Sequence, residues 1–190
     1  MQSILNFDWA VFQFIEKHIW NNFLDKVFPV ITTLGDTGLI WICIAVFLLF
    51  IKKYRRVGVV MAVALILDYV AVDIALKNLF GRPRPFDFDW QGLGAFVYPN
   101  LIDRPGSFAF PSGHTAVSFA GAVAMISSGK KWMYIPALVL AALIGFSRIY
   151  VHVHYCTDVL AGVVVGALCG AAAIFIVRRL EPHVVKKFRN

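Results

Sequence analysis

The chain has 190 residues, of which 59% are apolar and only 15% charged, and its mean hydropathy is +0.73. A water-soluble domain of this length needs far more polar surface to cover its core, so the composition points to the bilayer as solvent. The net charge of +7 is gathered in short clusters between apolar runs, a pattern that sets membrane orientation and argues against a nucleic-acid partner.

Residues 1–23 are not a span. Leu5, Trp9, Phe12, Ile15, Ile19 and Phe23 recur at helical spacing, while Asp8, Glu16 and Lys17 interrupt the run. The spacing predicts an amphipathic helix in the membrane interface, with packing on the protein's own bundle as the alternative. Apolar stretches follow at 24–35, 37–51, 57–79, 112–128, 132–148 and 157–177. A span takes roughly 20 residues; the stretch at 24–35 is short and carries Asp25 and Lys26. The expected fold is an all-α integral membrane bundle of about six transmembrane helices, forming a single domain over residues 1–190.

The basic clusters fall at Lys52, Lys53, Arg55 and Arg56, at Lys130 and Lys131, and at Arg178, Arg179, Lys186, Lys187 and Arg189. With alternating spans all three share one side, expected to be cytoplasmic. The connections at about 80–111 and 149–156 then share the opposite side of a cell membrane. The longer one holds Phe86, Phe88, Trp90, Phe96, Tyr98, Phe108 and Phe110, which suits a loop at headgroup level. The N-terminus lacks a basic region and a small-residue cleavage site, so no cleaved signal peptide is expected. Cys43, Cys156 and Cys169 form neither a disulfide framework nor a metal-ligand spacing.

Three segments concentrate the unusual side chains. The first runs from Lys77 to Pro85 and contains Arg-Pro-Arg-Pro. Each proline stiffens the chain and removes a donor, presenting guanidinium groups suited to phosphate oxygens; Asp73, four residues before Lys77, could equally make a plain ion pair. The second, Pro111-Ser112-Gly113-His114, starts an apolar run, where free amides form an anion site and glycine permits close approach. The third runs from Ser147 and Arg148 to His154 and Asp158. On a helix His154 and Asp158 share a face, so the carboxylate could fix the imidazole tautomer and leave the other nitrogen free to attack. His152 has no partner at that spacing and is expected at the interface. Asp87 and Asp89 form an Asp-x-Asp that could hold a cation but reads more simply as solvated loop charge. Asp68 and Asp73 are expected to face the bundle. Gly162 and Gly166 form a small-xxx-small pair that could pack helices within or between chains.

Lys-x6-Arg-Pro at Lys77 to Pro85, Pro-Ser-Gly-His at Pro111 to His114, and Ser-Arg-x5-His-x3-Asp at Ser147 to Asp158 resemble, in order and without departure, the three signature motifs of the type 2 phosphatidic acid phosphatase family. The resemblance implies a lipid phosphatase with an extracytoplasmic site. It implies that His154 attacks phosphorus and forms a phosphohistidine, that Asp158 orients it, and that His114 protonates the leaving group. Lys77, Arg84, Arg148, Ser112 and the Gly113 amide would bind the phosphate, and no metal or other cofactor is called for. Arg84, not Arg82, is in register with the motif. Undecaprenyl diphosphate is the first choice of lipid, ahead of phosphatidylglycerol phosphate, phosphatidate and lipid A. A lipid phosphotransferase and a non-catalytic phospholipid-binding or transport protein are the readings from other classes. The oligomeric state is not legible.

Overall fold

A computed structural model describes residues 2–90, 93, 94 and 96–187, with the side chains described as far as Leu180; Lys186, Lys187 and Arg189 of the last basic cluster lie outside the described side chains. The helices are α1 (Gln2–His18), α2 (Leu24–Leu34), α3 (Leu39–Phe50), α4 (Arg55–Tyr69), α5 (Lys77–Phe80), α6 (Gly113–Ala124), α7 (Lys131–Tyr150) and α8 (Cys156–Lys187). A π-helical segment, Val70–Leu76, joins α4 to α5.

Among the described residues, three helical segments are long and apolar enough to cross a membrane: Arg55–Asp87, Lys131–Tyr150 and Cys156–Leu180. A fourth arises if α2 and α3, bent by 44° at Gly35–Asp36, are counted together. The expectation of about six spans differs from this in two places. The stretches at 24–35 and 37–51 form one bent pair, because neither an 11-residue nor a 12-residue helix covers a hydrocarbon core of roughly 30 Å. Helix α6, with 12 residues, is also short of that length even with its 3-10 extension, Met125–Ser128.

The outer surface of the bundle is apolar. Phe47, Phe50, Ile66, Leu79, Val164, Leu168 and Phe175 are all more than half exposed, which is stable only with lipid around them. Inside, Trp41, Val60, Met61, Ala64, Ala120, Ala141 and Ile144 form the core of the spans, and the Trp41 indole N–H donates to Ser118 Oγ at 2.9 Å. The rings of Tyr54 and Trp132, 6.1 Å apart, bring the Lys52–Arg56 and Lys130–Lys131 clusters to the same end of the bundle.

Helix α6 packs against α8, α7 and α4. Its seam with α8 explains the small residues of the sequence: a Cβ on Gly162, Gly166 or Gly170 would lie 2.8, 2.1 or 2.9 Å from the carbonyl oxygens of Ser112, Ala116 and Ala120. The small-xxx-small pair therefore packs helices within the chain. This seam sets the height of Ser112 against Asp158, and Ser112 N–H donates to the Asp158 carbonyl at 3.0 Å.

Helix α1 buries Asp8, Trp9, Phe12 and Ile15 in a second core, with Trp90, Tyr150, Val151, Val153 and Tyr155. Its apolar face is thus spent on the protein, while Ile4, Phe7 and Phe14 stay exposed. Of the loop aromatics expected at headgroup level, Phe86, Phe88, Trp90, Phe96 and Tyr98 join the same core, while Phe110 packs on Phe80. Trp90 stacks on Phe96 at 5.5 Å and tilts against Trp9 at 4.9 Å; Phe108 remains 46% exposed.

Gly166→Ala is expected to force α6 and α8 apart and to lower stability by about 1–3 kcal/mol. Thermal unfolding in detergent checks this, with Gly106→Ala as control, since a Cβ there meets nothing among the described residues within 4 Å.

Candidate active site

Helix α7 ends at Tyr150 and the chain turns before α8 begins at Cys156. The amides of Val153 and His154 both donate to the Arg148 carbonyl, which holds the turn against the end of α7. His154 therefore stands in the turn, not on a shared helical face, and Asp158 meets it from the first turn of α8. Nδ1 of His154 is 3.5 Å from Asp158 Oδ2, and Nε2 is 2.9 Å from an Arg84 terminal nitrogen. A guanidinium only donates, so Nε2 must be the acceptor, which places the ring proton on Nδ1, towards the carboxylate. Burial, with Arg84 and Arg148 adding to it, holds His154 well below the usual 6.5. At neutral pH the ring is uncharged and its lone pair sits on Nε2.

Gly81, with φ of 54°, closes α5 in the left-handed conformation that favours glycine. Arg82 and Arg84 then leave the stiff segment towards opposite ends of the His154–Asp158 pair. Arg84 donates to the Ser107 carbonyl at 2.7 Å, the Ser107 hydroxyl at 3.0 Å and the Val153 carbonyl at 2.8 Å. Arg82 donates to Asp158 Oδ1 at 2.5 Å, Thr157 Oγ1 at 2.8 Å and Asp8 Oδ2 at 2.8 Å, and its guanidinium lies 3.6 Å from the centre of the Tyr155 ring. The doubled Arg-Pro thus has two separate destinations.

A cavity of about 520 Å³ is lined by Lys77, Arg84, Gly113, His114, Arg148 and His154, together with Thr32, Asp36, Asp103 and Ser107. The π-helical turn precedes Lys77, whose Nζ bonds Asp73 at 2.6 Å and would lie 3.3 Å from a Cβ on Gly113. Glycine at 113 lets the ammonium reach the start of α6. Arg148 donates to the Thr32 hydroxyl, while its buried Nε has no hydrogen-bond partner among the described residues. His114 Nε2 is 2.7 Å from Asp36 Oδ1. Ser112 is fully buried and is not part of the cavity lining; its oxygen accepts from Thr115 Oγ1 at 2.9 Å. The structure thus gathers six of the eight sequence-derived residues around one space, with Asp158 behind His154 and Ser112 behind Gly113. Three cations, a neutral imidazole and a second histidine can together hold a phosphate group and attack it.

Sequence reasoning missed Asp36, Ser107 and Thr32, which carry no spacing signal. Asp8 had one: three residues after Leu5 and four before Phe12, it falls on the apolar face of α1, where a carboxylate needs a partner. His152 is not interfacial but fully buried. It donates from Nδ1 to the Val97 carbonyl at 2.9 Å and packs on Phe12 and Trp20 at 4.5 and 4.8 Å. Asp73 pairs with Lys77, whereas buried Asp68 has one oxygen without a hydrogen-bond partner among the described residues. Among the described residues no group of three or more His, Cys, Asp or Glu side chains is arranged to hold a metal ion.

Burial pushes His152 from its ordinary 6.5 down to about 4, with the Val97 carbonyl acting the other way. Between those values the unfolded chain binds the proton that the folded chain refuses. Stability is therefore unaffected above the window and falls as pH drops through it, by roughly 3 kcal/mol across its width. His152→Gln is expected to shrink the loss of thermal stability between pH 7.5 and 4.5, compared with wild type.

Comparison with known proteins bears on these motifs. The PAP2 superfamily profile matches residues 53–182. An undecaprenyl-diphosphatase of Sulfolobus acidocaldarius is 31% identical over 130 residues, covering 67% of this chain and 59% of that protein; the chain thus spans about three fifths of that relative's length. The crystal structure of Aquifex aeolicus LpxE matches with a TM-score of 0.73 at 30% identity, over 87% of this chain and 93% of that one. A transmembrane PAP2-type phosphatidylglycerolphosphate phosphatase from Bacillus subtilis matches with a TM-score of 0.70 at 28% identity, over 97% of this chain and 89% of that one. With three motifs in order and a profile match across most of its length, the chain belongs to the PAP2 superfamily.

Proposed function

We propose that the chain is an integral-membrane lipid phosphatase, one membrane-embedded domain that hydrolyses a lipid phosphate or diphosphate through His154. The observation that carries this reading is the junction of two cavities. The cationic space around His154 shares Lys77, Gly113 and His114 with an apolar groove of about 640 Å³ between α3 and α4. A phosphate in the first and a hydrocarbon chain in the second describe one amphiphile.

In the proposed reaction Arg84, Arg148, Lys77 and the Gly113 amide take the phosphate oxygens, and the entering phosphate displaces the Arg84 contact from Nε2. The Ser112 hydroxyl keeps its own proton to donate. Nε2 attacks phosphorus as the bond to the leaving oxygen breaks, and His114 delivers a proton to that oxygen. Asp158 supports the positive charge that grows on the imidazole. Water then attacks the phosphohistidine, His114 takes its proton, and inorganic phosphate leaves with His154 restored. No step calls for a metal ion.

Sidedness follows from charge. The Lys52–Arg56 and Lys130–Lys131 clusters share the end of the bundle away from the motifs, which supports an extracytoplasmic site in the cell membrane. Undecaprenyl diphosphate is the leading substrate, in keeping with the relative that bears that activity in its name. Phosphatidylglycerol phosphate is next, in keeping with the structural neighbour, followed by phosphatidate and lipid A.

The test is phosphate release in detergent with EDTA from those four lipids, using wild type and His154→Ala. Wild type is expected to release phosphate in EDTA and the variant to lose at least about a thousandfold. Wild-type release by the variant would remove His154 as nucleophile, and release abolished by EDTA would remove the metal-free route. Transfer of phosphate to an added alcohol in place of water would mark a phosphotransferase.

A further inference from the structure

Helix α1 lies ahead of the stretch matched by the family profile, which starts at residue 53, yet it places a fully buried carboxylate beside the candidate dyad. Asp8 Oδ1 accepts from the Thr157 amide at 2.9 Å, and Oδ2 accepts from Thr157 Oγ1 and Arg82, each at 2.8 Å. Arg82 in turn donates to Asp158 Oδ1 at 2.5 Å. Asp158 Oδ2 accepts from the Tyr155 amide at 3.0 Å and faces His154 Nδ1 at 3.5 Å. A single chain of contacts therefore runs from α1 to the imidazole.

We infer that Asp8 is a positioning residue for the reaction: it shares the charge of Arg82, so that Asp8, Arg82 and Asp158 together present net negative charge to His154. Arg82 touches both carboxylates through different terminal nitrogens. Two carboxylates around one guanidinium leave a net charge of minus one, in a buried site where Coulombic effects are strong. Without Asp8, Arg82 belongs to Asp158 alone and the pair is neutral. The support for an imidazole gaining positive charge then weakens, although Asp158 has not moved. This rests on the reading of His154 as nucleophile. It assigns α1 a part in catalysis in addition to its packing role.

The test compares wild type, Asp8→Asn, Asp8→Glu and His154→Ala in one phosphate-release assay. Asp8→Asn is expected to lower kcat about tenfold with KM within about twofold. Asp8→Glu keeps the charge but not the shape and is expected to exceed Asp8→Asn in kcat. A purely structural Asp8 would instead favour the isosteric Asp8→Asn. Asp8→Asn with wild-type kcat, a loss confined to KM, or Asp8→Glu no better than Asp8→Asn overturns the inference while leaving His154 in place. Activity in His154→Ala instead overturns the reading beneath it. Should Asp8→Asn fail to fold, Asp8→Glu is still expected to fold and turn over, and its failure to do so would overturn the inference.

Discussion

The site depends on two arginines held one proline apart. Arg82-Pro83-Arg84 is too stiff for its side chains to trade places, and it spans the His154–Asp158 pair from both ends. Arg84 donates to Nε2 of the histidine and Arg82 to the carboxylate behind it. Because a guanidinium has no lone pair, the Arg84 contact fixes the imidazole tautomer without any other residue. The backbone carbonyls of Val153 and Ser107 anchor Arg84 in turn, so the tautomer is written into the path of the main chain.

Holding that clamp against the dyad requires three segments, far apart in sequence, at one depth in the bundle. The glycine seam between α6 and α8 supplies the vertical register. With Gly162, Gly166 and Gly170 stacked on successive turns of α6, the two helices cannot slide without a collision. The π-helical turn after α4 and the short α5 bring Lys77 to the start of α6. The second core of aromatic rings, from α1 and the 81–111 segment, closes the site on the side away from the spans. Lipid solvates the remaining surface, which frees the interior for charge that a soluble domain of this size would need at its surface.

The motif residues were legible in the sequence because their chemistry is local: Lys77 to Pro85, Pro111 to His114 and Ser147 to Asp158 each keep their meaning in a window of a dozen residues. The apolar runs were legible too, but not how each is broken into helices. Asp25, Lys26 and Pro29 interrupt the first run, and among the described residues α2 and α3 reach the length of a span only as a bent pair. The destination of the 80–111 aromatics was hidden, because rings in a loop suit a headgroup layer and a protein core equally well. His152 was misread for the same reason: its partners, the Val97 carbonyl and the rings of Phe12 and Trp20, are distant in sequence. Arg82 and Asp36 acquire their partners only through the tertiary fold.

The central claim is that Nε2 of His154 becomes covalently bonded to phosphorus. Rapid acid-free quenching of the enzyme during turnover of a lipid phosphate, followed by peptide mapping and identification of the phosphohistidine isomer, tests it directly. The account expects phosphate on His154 at Nε2, since Nδ1 carries the proton facing Asp158. Phosphate on another residue, or on Nδ1 of His154, would contradict it.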